Sequence, residues 1–154
     1  MTKSLAKRKL AVLVAKDVLS RIKAEAIIPK RGVYLRSRKL AVLILKSKPG
    51  IELQKLLRMR KAPPCTACAI GSIFLSIVRL RNEFTTRFAA ARNWEHHQPG
   101  MTIGSYDMRQ RLHEAFTPDE LERIENYFET DHPHRMTLPA IMNNIIKNKG
   151  IFNP

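Results

Sequence analysis

The chain has 154 residues, 44% apolar and only 6% aromatic, which suits one domain with an aliphatic, helix-rich core and is too apolar for a disordered segment. Its formal net charge is +15, unusual for this length and a reason to look for a polyanionic partner. No stretch is long and apolar enough to span a bilayer, and the apolar run 10–15 behind Lys7, Arg8 and Lys9 is too short for a signal peptide.

The charge is divided unevenly. Residues 1–61 hold 18 Lys and Arg against 3 acids, whereas residues 62–154 hold 10 of each. The chain therefore reads as one domain, 1–154, with a basic first third (1–61) and a neutral helical remainder (62–154). A face of this kind suits nucleic acid ahead of a membrane surface. The plain alternative is a solvated, self-repelling surface that keeps the protein soluble.

Residues 4–26 read as the first helix. Ala11, Val14, Ala15, Val18 and Ile22 fall on one face, and Lys9, Lys16 and Lys23 repeat every seven residues on the opposite one. The apolar face lacks the Trp and Phe of an interfacial membrane helix. Pro29-Lys-Arg-Gly32 breaks the helix and turns the chain. Residues 32–36 then have strand character, and the alternation through 38–46 suggests a small β-hairpin near 33–46. The hexapeptide Arg8-Lys-Leu-Ala-Val-Leu13 recurs as Arg38-Lys-Leu-Ala-Val-Leu43, but two copies do not make a repeat architecture.

Pro49-Gly50 opens a helix over 51–60, which ends in Arg58-Met-Arg-Lys61. After Pro63-Pro64 the stretch 65–84 is apolar nearly all round, the pattern of a central helix buried on every side. Residues 93–109 read as an irregular loop around Trp94, which sits near Arg92 and could stack on a base or close over the core. Thr117-Pro118-Asp119-Glu120 is a helix start with a capping box. The segment 114–131 carries seven acids against Arg123, and it could dock on the basic first third, within the chain or across a dimer, or leave that face open. Thr137 caps the last helix, Gly150 ends it in a Schellman-like turn, and Phe152 closes the core. Asn143, Asn144 and Asn148 lie on that helix's polar side, as surface residues or ligand readers.

The fold class expected is therefore mainly α: a single-domain helical globule around a central buried helix, with the small hairpin near 33–46. The anion-binding residues are Lys9, Lys16, Lys23, Arg36, Arg38, Lys39, Arg58, Arg60 and Lys61, with Trp94 as the stacking candidate. Cys65 and Cys68 open three readings. They are small core residues, a redox pair at a helix start, or two ligands of a zinc site that would draw on His96, His97, His113, His132 or His134. The first is favoured, because no second metal-ligand pair has the needed spacing. Two cysteines three apart also fit a reducing cytoplasm better than a structural disulfide. No phosphate-binding glycine loop or nucleophile motif appears, so no enzyme and no cofactor is expected.

Three pieces of the chain resemble a family of small helical proteins encoded by tailed phages and prophages. They are Ala15-Lys-Asp-Val-Leu19 with Gly32-Val-Tyr-Leu35, then Cys65-Thr-Ala-Cys-Ala-Ile-Gly71, then Ile141-Met-Asn-Asn-Ile-Ile-Lys-Asn-Lys-Gly-Ile-Phe-Asn-Pro154. The resemblance implies a bacterial cytoplasmic setting and an accessory or counter-defence role, and it carries no activity with it. The leading expectation is a non-enzymatic basic protein that holds nucleic acid through its phosphates. The alternatives are an antagonist that binds a host protein or sequesters a nucleotide, acting as a homo-oligomer, and a zinc or redox protein using Cys65 and Cys68.

Overall fold

The computed structural model describes residues 2–33, 35, 36, 55, 57, 58, 64–81, 106–129 and 133–154. The fold is mainly α. Along the chain run α1 (Leu5–Lys23), β1 (Ile27–Pro29), β2 (Leu35–Arg36), β3 (Cys65–Ala67), α2 (Ala69–Arg81), α3 (Tyr106–His113), α4 (Pro118–Glu129) and α5 (Leu138–Lys147). No described helix is long and apolar enough to cross a membrane.

Helix α2 is the centre. Ten consecutive residues, Ala69 to Val78, are buried, and α1, α3, α4, β1 and β3 all pack on it. Each large aliphatic or aromatic side chain buried this way contributes roughly 1.5–3 kcal/mol before conformational entropy is set against it. Two serines are admitted to this core because their hydroxyls are satisfied. Ser72 donates to the Cys68 carbonyl at 2.8 Å and Ser76 to Asp17 Oδ2 at 2.9 Å.

The expected central helix starts later than the apolar pattern suggested. Cys65–Ala67 is a strand, not helix, lying between β1 (parallel) and β2 (antiparallel) in a sheet ordered β1-β3-β2. A three-residue stretch at the head of an apolar run has no period that separates strand from helix, and here the neighbouring backbones decide. Cys65 N–H donates to the Ala26 carbonyl and Lys30 N–H to that of Ala67, both at 2.9 Å. Cys68 then caps α2, its sulfur accepting from Gly71 N–H at 3.5 Å. Pro29, which has no N–H to donate, stands on an edge strand of the described sheet, as proline must. The strand expected around 32–36 is present as β2, but it pairs with β3; residues 37–46 of the expected hairpin lie outside the described residues. So do most of the helix over 51–60 and residues 82–84.

Helix α1 stops at Lys23, three residues earlier than the pattern suggested. Glu25 takes a left-handed φ of 58°, and Glu25 and Ala26 N–H return to the carbonyls of Ile22 and Arg21, a Schellman closure. Helix α5 closes the same way, with Lys149 left-handed at φ 51° and Gly150 N–H on the Ile145 carbonyl at 2.8 Å. The expected loop over 93–109 is also corrected at its end: Tyr106 already begins α3. That helix leads into Leu112, Ala115 and Phe116, all fully buried. The capping box is as read, with Glu120 N–H on Thr117 Oγ1 at 3.2 Å and Thr117 N–H on Glu120 Oε1 at 3.1 Å.

Candidate functional site

Helix α1 buries Leu10, Ala11, Val14, Ala15 and Val18 against α2 and α5. The opposite face therefore looks outward, and it carries Lys9, Lys16 and Lys23, all exposed. At about 1.5 Å rise per residue, seven-residue steps set successive lysines about 10 Å apart along the axis. The row drifts only about 20° per step, so it is nearly straight. Among the described residues no carboxylate pairs with any of the three. The helix also opens with Lys7, Arg8 and Lys9 and has no acid in its first turn. Cations there oppose the helix dipole, so helix stability does not explain them.

The one acid of α1, Asp17, is turned inward. Arg79 Nη1 lies 3.5 Å from Asp17 Oδ1, and the Ser76 hydroxyl donates to Oδ2. Three acids of the segment 114–131 are engaged away from the lysine row. Helix α4 packs on α2. Glu114 lies 2.7 Å from Arg111 and 4.0 Å from Arg81, Glu120 pairs with Lys3 at 3.0 Å, and Glu129 Oε2 accepts from Gly32 N–H at 2.9 Å. Of docking on the basic third, the pairing of Glu120 with Lys3 and of Glu129 with the Gly32 turn is in place. The lysine row is left uncovered by them.

Of the other expected anion-binding residues, Arg58 is exposed, and its Nε donates to the Arg79 carbonyl at 2.9 Å, which ties it to the end of α2. The backbone of Arg36 sits in β2 opposite Thr66. Arg38, Lys39, Arg60, Lys61 and Trp94 lie outside the described residues. The asparagines of α5 hold the chain end. Asn144 Nδ2 donates to the Asn153 carbonyl at 2.9 Å and its Oδ1 accepts Asn153 N–H at 2.8 Å, while Asn148 Nδ2 reaches the Asn144 and Asn153 carbonyls.

The chain matches no family model, no curated protein and no solved structure.

Cys65 and Cys68 are both buried and neither is in a disulfide. The start of a helix favours a thiolate, and Gly71 N–H does pull the Cys68 thiol down. Burial outweighs it and the Glu129 charge adds to burial, so the thiol is pushed up to about 12. Metal ligation and disulfide exchange both use the thiolate. Among the described residues no three His, Cys, Asp or Glu stand together as a metal site. At pH 8 iodoacetamide should modify Cys68 in the folded protein more than about a hundredfold more slowly than in urea, because so little thiolate exists. Mass spectrometry across a time course checks this; labelling at comparable rates would restore a reactive thiol.

Sequence reasoning missed one feature beside the lysine row. Leu5 and Leu13 are 64% and 55% exposed, and with Val12 they line a groove against Ile146 of α5. Their spacing, seven and eight residues after Leu5, was a usable signal of a second apolar strip.

Proposed function

We propose that this chain is a non-enzymatic basic accessory protein of phage or prophage type that binds nucleic acid through phosphate contacts along the outer face of α1. The observation that carries the reading is the exposed row Lys9, Lys16 and Lys23, with no described carboxylate on it and with the one acid of α1 drawn into the core side. A polyanion neutralises such a row by releasing its own condensed counterions, which favours binding without base reading. The acids and thiols favour a structural reading over catalysis: Glu114, Glu120 and Glu129 hold the fold, and Cys68 is kept protonated. Two buried cysteines outside any disulfide agree with a bacterial cytoplasmic setting.

Charge reversal tests this directly. In the triple variant Lys9→Glu, Lys16→Glu, Lys23→Glu, the slope of log affinity against log salt should fall by about two to three, one contact per lysine. Binding at low salt should weaken with it, while the circular-dichroism melting curve stays close to that of the wild type, since these side chains are exposed. An unchanged slope would move the nucleic-acid contact off α1.

A further inference from the structure

Beside the lysine row, α1 and α5 enclose an open groove of about 590 Å³. This is within the range of about 300–1,000 Å³ typical of small-ligand sites, enough for a nucleotide. Its floor is aliphatic: Leu5, Val12 and Leu13 from α1 and Ile146 from α5. Its rim is cationic, formed by Arg8, Lys9, Lys16 and Lys149, and no acid lines it among the described residues. Two rim residues are set in place by the backbone. Arg8 Nε donates to the Lys149 carbonyl at 3.1 Å, and the left-handed φ of 51° at Lys149 closes α5 against α1. The end of a helix normally presents unsatisfied carbonyls that repel anions. Here the carbonyls of Asn144, Ile145 and Ile146 accept the N–H groups of Asn148, Gly150 and Lys149, and just beyond the helix Arg8 and Lys3 Nζ take the carbonyls of Lys149 and Gly150, which removes that objection.

A duplex offers this face only phosphates, and its stacked bases cannot reach an aliphatic floor. A single strand offers both the anion and an apolar base face. On this ground, and resting on the nucleic-acid reading above, we infer that the ligand is single-stranded: its phosphates lie on Lys9, Lys16 and Lys149, and an unstacked base covers Leu5 and Leu13. The contact is sequence-tolerant, because every base has an apolar face and the described floor residues are all aliphatic.

The test compares a fluorescein-labelled strand of mixed sequence with its duplex, by anisotropy, for the full chain and for Leu5→Ser/Leu13→Ser. Both leucines are exposed, so the variant folds; its melting curve is the check. The wild type should prefer the strand, and the variant should lose about tenfold for the strand, as for the burial of a leucine side chain, with no change for the duplex. Its salt slope for the strand should stay as it was, because no charge has been removed. Equal binding of strand and duplex, or a variant that holds the strand as the wild type does, overturns this inference and leaves phosphate binding standing. Failure of the wild type to bind either overturns both. Binding to phosphatidylserine vesicles, or self-association in sedimentation, that is lost in the variant while strand affinity is unchanged would give the groove to a membrane surface or to a second copy.

Discussion

Replacing Gly150 by alanine is expected to cost about 3–5 kcal/mol and to lower the melting temperature by about 10 °C, as large a loss as core mutations produce. A Cβ built on Gly150 would lie 2.1 Å from the Arg8 carbonyl oxygen and 2.7 Å from the Arg8 carbonyl carbon and Cα. All three are backbone atoms of α1, so no side chain can swing away to make room. The φ of 92° adds its own penalty for any residue with a Cβ. Relief requires α1 and α5 to separate, and these two helices meet over a long contact that also walls the groove. Gly32 is the internal comparison. It too is left-handed, at φ 74°, but a Cβ there meets nothing within 4 Å, so Gly32→Ala should cost only about 1 kcal/mol. Thermal melts of the two variants decide it; equal, small losses would contradict the close approach.

Glu120→Ala should be nearly as damaging, at about 3–5 kcal/mol, because it strands a buried cation. Glu120 joins three parts of the chain that are far apart in sequence. One oxygen accepts from Thr117 N–H and faces Lys3 Nζ at 3.0 Å; the other accepts Phe152 N–H at 2.9 Å. The side chains of Lys3 and Glu120 are only 5% and 7% exposed. Lys3 also lies 4.7 Å above the Phe116 ring. Burial lowers the Lys3 pKa below its usual 10.5 even though Glu120 pulls it up. The unfolded chain then holds that proton more tightly, so this group makes the fold gain stability as pH rises from the lowered value toward 10.5. Lys3→Met should be milder, about 1–2 kcal/mol, since the carboxylate keeps its two backbone N–H donors. Urea unfolding of both variants measures the asymmetry, and a Lys3→Met loss equal to that of Glu120→Ala would contradict it.

The same residues show how far the sequence could be read. Thr117 and Glu120 announced a helix start three residues apart, and the capping box is there, because capping is a local contact. Nothing local announced that the second oxygen of Glu120 would take Phe152 N–H, since that contact needs the whole fold to form. The apolar stripe of α1 and its lysine row were legible for a similar reason: 3.6-residue periodicity separates the two faces. The strand Cys65–Ala67 was not, because three residues running straight into an apolar helix are too few to show a period of two, and the pairing partners at 27–29 and 35–36 are distant. Helix α3 was hidden in a largely polar stretch: the buried anchors among its described side chains, Leu112 and then Ala115 and Phe116, come at its end and just beyond it. The groove was half legible. Leu5 and Leu13 are spaced for it on α1, but Ile146 and Lys149 reach it only through the way α5 lies against α1.

The measurement that tests the central claim most directly is the affinity of the wild-type protein for a labelled single strand as salt is raised. With several phosphates held by α1 and the groove rim, binding should be micromolar or tighter at about 50 mM salt and about a hundredfold weaker at about 200 mM. No binding at the lower salt, or binding that ignores salt, would contradict a phosphate-holding face and return the search to protein partners.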